Sequence, residues 1–384
     1  MAASRVKVAV CLIRWFAAPA AIAAALAAAM SVYPRAGVCQ EPGPQGPRAR
    51  LPRMMDKRTV DAVELGLRYL AGTQHRDGSW LSYGRWGAYQ TSMTSLAAMA
   101  FMAGGSTPEE GPYSEEVKKA MRFMISAAKA DKEGDLVTSG TAGRSMHEHG
   151  FALLFLAQCY GMQASKEQGQ ELKELLGNAV KFSSAAQSDR GGWYYSPSRS
   201  NDEGSVTVTQ LQALRACRNA GIKVDKKTIE RAVGYLRHCQ MEDGGICYSA
   251  NSRGASRPPI SAAAIACFYA AGVYDRQAGG AGAEAEMVDK LIRYCRLNVK
   301  INGDSEGRAM QGYWFYTHYY YAQAMYQRGG KDWEEYYPKV RDYLVSTQSA
   351  DGSWNGDNVG TVYGTAIATI ILQLPYGYLP IYQR

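Results

Sequence analysis

The sequence predicts an all-α fold, an α/α toroid in which six amphipathic outer helices surround six uncharged inner ones. Three observations carry this expectation. A seven-residue motif recurs at multiples of about 54 residues, two kinds of apolar pattern alternate between its copies, and the part of the 384-residue chain that follows a leader and a spacer is about six such units long. A fixed period of this size marks supersecondary units that cannot cover their own apolar faces and therefore stack.

The motif appears in full as Gln74-His75-Arg76-Asp77-Gly78-Ser79-Trp80 and Gln348-Ser349-Ala350-Asp351-Gly352-Ser353-Trp354. Looser copies are Gln187-Ser188-Asp189-Arg190-Gly191-Gly192-Trp193 and Gln240-Met241-Glu242-Asp243-Gly244-Gly245-Ile246. The glutamines lie 113, 53 and 108 residues apart, or two, one and two periods. Two decayed units are therefore expected near 128 and 294, where the chain reads Ile125-Ser126-Ala127-Ala128-Lys129-Ala130-Asp131-Lys132-Glu133-Gly134-Asp135 and Tyr294-Cys295-Arg296-Leu297-Asn298. Asp and Gly supply a tight turn, and Trp returns a large apolar body to the helices it joins.

Before each turn the apolar residues form a stripe. Val60, Val63, Leu67 and Leu70 share one face, as do Ile229, Val233 and Leu236, with charges between them. Asp56, Ser114 and Asp225 mark starts of such helices. Segments 117–127, 172–185, 287–296 and 336–347 read the same way. After each turn the chain is apolar or small all round, at 91–102, 150–160, 206–216, 261–271, 314–326 and 362–374, so these helices should be buried on every side. Gly104, Gly161, Gly221, Gly272 and Gly329 follow several of them, where a left-handed cap is expected. A closed double ring satisfies this alternation, with unit six seated on unit one.

Ahead of the toroid, Arg5, Lys7 and Arg14 precede an Ala-rich run at 15–30 that contains Ala27-Ala28-Ala29. Residues 1–30 read as an export signal or an uncleaved membrane anchor, which places the body outside the cytoplasm, secreted, periplasmic or tethered. Residues 31–53, in which Gln40-Glu41-Pro42-Gly43-Pro44-Gln45-Gly46-Pro47-Arg48 sets proline and glycine at alternate places, read as a disordered spacer. The toroid domain is 54–384. The net charge of +8 is spread along the chain without basic runs interleaved with aromatics, so nucleic acid is not an expected partner. Of the 8 cysteines, Cys159, Cys217 and Cys267 lie in apolar helices as buried thiols, whereas Cys239 and Cys247 flank a turn and could bridge in an oxidising compartment. No Cys-x-x-Cys pair indicates structural zinc, and no cofactor is called for.

The Gln-x-x-Asp-Gly-Ser-Trp corners followed by small-residue helices resemble the repeats of the squalene cyclase and protein prenyltransferase superfamily, the terpenoid cyclase-like toroids. The resemblance extends over about 54–374 and implies the toroid fold and an isoprenoid-type ligand. It does not fix an activity, because that fold hosts cyclases, prenyltransferase subunits and non-enzymatic domains. The cyclase Asp-x-Asp-Asp-Thr motif has only Asp202-Glu203-Gly204-Ser205 as its nearest text here. The prenyltransferase Asp-x-Cys zinc site and the Cys-Gly-Glu-Gln thioester segment have no counterpart.

Function is expected where the inner helices begin around a central pocket. His147-Glu148-His149 could supply a metal ligand or an acid/base group, or a cap with a solvated neighbour. Asp202 and Glu203 could supply a proton donor, or could cap the next helix. The run Tyr313-Trp314-Phe315-Tyr316-Thr317-His318-Tyr319-Tyr320-Tyr321 must turn some rings inward, where they bind a ligand or pack the core. Tyr83, Trp86 and Tyr89 form a loop over the ring mouth. The catalytic candidates are Asp202, Glu203, His149 and His318; the ligand-binding candidates are Trp193, Tyr194, Tyr313, Trp314, Tyr316 and Tyr320. Three functions follow: a toroid that binds an isoprenoid or other hydrophobic molecule without turnover, a cyclase or prenyl-transfer enzyme with Asp202 or Glu203 as acid, and a carbohydrate-active α/α barrel needing an acid and a base across an open groove.

Overall fold

A computed structural model describes residues 51–84, 87–130, 134–137, 145–302 and 313–382. The leader 1–30, the spacer up to residue 50 and Trp86 lie outside them. Twelve α-helices are present among the described residues: α1 (Lys57–Thr73), α2 (Gln90–Ala103), α3 (Ser114–Ala130), α4 (Ser145–Cys159), α5 (Lys166–Ala185), α6 (Gly204–Asn219), α7 (Lys226–His238), α8 (Pro258–Ala270), α9 (Gly282–Asn298), α10 (Trp314–Arg328), α11 (Gly330–Thr347) and α12 (Thr361–Gln373). None of them is long and apolar enough to cross a membrane. A two-residue antiparallel ribbon, Tyr83–Gly84 against Gly87–Ala88, precedes α2.

Helix starts follow local chemistry. The Asp56 carboxylate accepts the Thr59 amide at 2.8 Å, Ser165 accepts that of Gln168 at 3.2 Å and Asp225 that of Lys227 at 3.0 Å. Pro258 opens α8, where a missing N–H costs nothing. The even-numbered helices form the inner ring, each packed on its even-numbered neighbours, with α12 returning to α2. Every residue of α12 from 362 to 373 is buried. The odd-numbered helices bury one stripe and form the outer layer.

The corners lock the layers together. In all four recognisable copies the glutamine Nε2 donates to the glycine carbonyl of its own turn and to a carbonyl in the next outer helix: Glu116 from Gln74, Thr228 from Gln187, Met287 from Gln240 and Ala62 from Gln348, at 2.9–3.0 Å. The last of these closes unit six onto unit one. The indoles of Trp80, Trp193 and Trp354 donate to carbonyls ten residues back at 2.7–2.8 Å, and their amides donate to Thr94, Thr207 and Thr365 of the following inner helix at 3.0 Å.

One expected cap differs. Gly104 has φ −86°, and the left-handed residue is Gly105 at φ +92°. Space is the reason for Gly104: a Cβ there would meet Gln373 Oε1 at 2.5 Å.

Candidate functional site

Six inner helices begin at one rim, and at three of them a carboxylate meets the exposed amides. Glu148 Oε2 accepts Thr91 and Ser92 N–H at the start of α2, at 3.0 and 3.4 Å. Glu203 accepts Ser205 and Val206 N–H at the start of α6, at 2.8 and 2.5 Å. Asp357 accepts Trp314 N–H at 2.8 Å and Phe315 N–H at 3.0 Å at the start of α10. Helix N-termini stabilise negative charge, so these groups serve as caps. Glu148 and Asp357 were not foreseen as caps because each comes from a different helix or loop than the one it serves.

Asp202 has a separate structural duty. The third corner carries Arg190 where the complete motif has Asp, and Gly192 where it has Ser. Asp202 fills that place: its Oδ2 accepts the Ser188 hydroxyl at 3.0 Å and lies 3.7 Å from the Arg190 guanidinium, and a Cβ on Gly192 would sit 2.8 Å from the Asp202 Cβ. The fourth corner is repaired likewise. Ser256 donates to Asp243 at 2.6 Å and occupies the space of the serine missing at Gly245.

The two histidine candidates face the outer layer. His149 Nδ1 accepts the Leu136 amide at 3.2 Å, also lies 3.2 Å from Asp135 Oδ1, and Nε2 donates to Ala179 O of α5 at 3.2 Å. It thus takes the position that Thr94 and Thr207 hold in their units. His318 contacts the Tyr336 hydroxyl at 2.8 Å and Lys300 O at 3.1 Å, and burial pushes its pKa down to about 4. Trp193 is fully buried in its corner, and Trp314 donates to Ile301 O at 3.2 Å with its ring 4.2 Å from His318 and 4.8 Å from Tyr343. Both tryptophans sit in the seam between rings. Asp202, His149 and His318 each have separate partners; the histidine set beside Glu203 is His147, 4.0 Å from Oε1.

Side chains fill the axis below the rim. Phe151 of α4 and Tyr319 of α10 meet edge-on at 6.4 Å, Tyr320 reaches Thr209 at 3.3 Å, and Gln212 donates to Gln323 at 2.6 Å. The chain's own C-terminal segment seals the far end. Gln158 accepts the Ile381 amide, Gln327 donates to its carbonyl, both at 3.3 Å, and the Tyr382 hydroxyl meets that of Tyr319 at 3.0 Å.

The N-terminal rim lies above this packing: His147 stands four residues before Phe151 and Tyr316 three before Tyr319, about 6 and 4.5 Å at 1.5 Å per helical residue. His147, Ser205 and Tyr316 are partly exposed there. His147 Nε2 lies 3.2 Å from Ser205 Oγ and Nδ1 lies 3.4 Å from Thr209 Oγ1, while Tyr316 donates to Ser205 O at 3.4 Å. Burial, then Tyr320 and Glu203, raise the Tyr316 pKa, so the phenol stays a neutral donor. Tyr195 stands 5.8 Å from His147 and shares a 2.7 Å hydroxyl contact with Tyr248. Tyr194 packs edge-on against Tyr195 at 5.1 Å, and Tyr313 is half exposed at the rim. Tyr83 is 77% exposed on the ribbon. Among the described residues no three His, Cys, Asp or Glu side chains gather as a metal site.

No protein-family model matches the sequence, and neither does any curated protein sequence. Solved structures match it by shape. An inactive variant of the α-1,6-mannanase GH76A of Salegentibacter sp. HEL1_6, in complex with α-1,6-mannotriose, superposes with TM-score 0.60 at 10% identity over 83% of this chain and 99% of that one. Type II terpene cyclase MstE from Scytonema gives 0.53 at 13% over 84% and 100%. A protein from Actinoplanes gives 0.58 at 14% over 83% and 99%. The chain is therefore an α/α toroid, of the architecture found in that terpene cyclase and that mannanase. The likeness is one of fold.

Proposed function

We propose that this toroid is an exported or membrane-tethered binding protein whose rim dish takes a hydrophobic ring system, such as a cyclic isoprenoid, without turning it over. The observation that supports binding is the placement of His147, Ser205 and Tyr316, partly open to solvent above an aromatic floor. A shallow aromatic dish favours a flat or folded ring over an extended chain, because ring faces bury area against Tyr316 and Tyr195 while hydroxyls at the edge keep their partners. The described carboxylates nearest the dish support binding over acid catalysis, since Glu203 and Asp357 cap helices and Asp202 completes a corner through Oδ2, although its buried Oδ1 has no hydrogen-bond partner.

Calorimetric titration of the folded protein with a cyclodextrin-solubilised pentacyclic triterpenoid tests this. Micromolar affinity that falls at least ~10-fold in Tyr316→Ala, with the ligand recovered unchanged, is expected; a tenfold change is about 1.4 kcal/mol. Absence of heat, or a product of altered mass, refutes the proposal.

The hydroxyl-rich edge formed by Tyr195, Tyr248, Ser205 and His147 favours a second reading, a sugar ring stacked on the same aromatics. Titration with α-1,6-mannotriose separates the two.

A further inference from the structure

Of the four recognisable corners, only the fourth has no tryptophan. Elsewhere the indole N–H ties the corner to a carbonyl ten residues back; Ile246 has no such donor. At this corner the chain instead sets two cysteines opposite one another. Gln240 and Ile246 are antiparallel bridge partners, and Cys247 N–H donates to Cys239 O at 3.0 Å. Cys239, the C-cap residue of α7 at φ −78° and ψ −6°, thus lies directly against Cys247. Their side chains are within hydrogen-bonding reach of each other, and a disulfide spans Cα separations of roughly 4.4–6.8 Å. Both cysteines are fully buried as thiols. Burial first, and Cys247 next, push the Cys239 thiol up to about 12.

We propose that Cys239 and Cys247 form a disulfide that staples the fourth corner in place of the missing indole hydrogen bond. The bond arises by exchange with a small disulfide oxidant such as glutathione disulfide. One thiolate attacks the oxidant and releases a thiol, and the second thiolate then attacks the mixed disulfide and releases another. The protein gives up two protons and two electrons, which the oxidant takes up as two thiols. Both sulfurs are shut away once the ring has packed, so exchange occurs before α7 seats, and the finished bond is shielded from reductant. Two of the other buried cysteines have partners elsewhere: Cys159 contacts the Met102 sulfur at 3.9 Å and Cys267 donates to Val208 O at 3.1 Å.

The test folds the full chain in a glutathione/glutathione-disulfide buffer, alkylates it under denaturing conditions and maps the peptides by mass spectrometry. One linked peptide joining Cys239 to Cys247, with the remaining cysteines alkylated, is expected. Alkylation of both as free thiols, or a link from either to another cysteine, overturns the proposal. Thermal unfolding supplies the second readout. Closing this short loop should raise Tm by roughly 3–5 °C over reduced protein, and the shift should vanish in Cys239→Ser and Cys247→Ser variants. A linked protein whose Tm equals that of the reduced form overturns the stapling role.

Discussion

Replacing Gly352 with alanine tests whether the ring closes through a corner built like the others. Gly352 has φ +88°, and a Cβ there would stand 2.5 Å from the Leu65 carbonyl oxygen of α1 and 2.8 Å from its carbon. Left-handed backbone costs a residue with a Cβ about 1–2 kcal/mol. Relieving the contact requires a helix carbonyl to move by nearly 1 Å in a packed seam, which at overpacking costs adds about 1–3 kcal/mol. The expected loss is roughly 2–5 kcal/mol, a large share of the 5–15 kcal/mol by which ordinary proteins are stable. Gly78→Ala should lose a similar amount, since its Cβ would meet Lys119 O at 2.4 Å. Gly72→Ala is the control: that glycine lies in α1 with nothing within 4 Å of an added Cβ, and alanine there should stabilise by about 0.5–1 kcal/mol. Urea unfolding followed by circular dichroism gives all three values. A Gly352→Ala protein within about 0.5 kcal/mol of wild type, beside a Gly78→Ala protein that loses several, would refute ring closure by this corner.

Three further outcomes follow from the same geometry. Gly245→Ser alone should destabilise because its Cβ would stand 2.5 Å from that of Ser256, and adding Ser256→Gly should recover part of the loss; a double-mutant cycle should return a coupling of about 1–2 kcal/mol. Trp193→Phe removes the 2.7 Å indole bond to Ser183 O and leaves a buried carbonyl unpaired, so urea unfolding should show a loss of roughly 1–3 kcal/mol. His318 has its pKa lowered by burial from 6.5 to about 4. Its folded form stays neutral where the unfolded chain takes up a proton, so its effect is nil above about pH 7. Stability then falls between pH 6.5 and 4, by roughly 3 kcal/mol in all. Tm measured across that range should drop more steeply in wild type than in His318→Gln.

The double ring was legible in the sequence because the corner is a backbone device with fixed residue types. The glycine needs a left-handed φ beside a neighbouring helix, and the glutamine must reach two carbonyls. Even the decayed second unit keeps Gly134 at φ +92°, with an added Cβ 2.8 Å from Asn178 O. The site was less legible because residues with catalytic chemistry also maintain the repeats. His149 looked like an acid/base group, yet it falls thirteen residues after Leu136, as Thr94 falls fourteen after Trp80, and it receives the corresponding amide. That register was readable from the period. Arg190 and Gly192 similarly signalled that another residue had to complete their corner, which Asp202 does. Two things had no such signal. The segment that plugs the far end, Ile381 and Tyr382, lies beyond the last repeat, and the contrast between His147 and His149 depends on helix phase at the rim. With corners and caps holding their carboxylates and His149, the residues His147, Ser205 and Tyr316 are found partly exposed together at the rim. A binding role there thus rests chiefly on His147 and Tyr316, since the Ser205 hydroxyl also donates to the Glu203 cap at 2.8 Å.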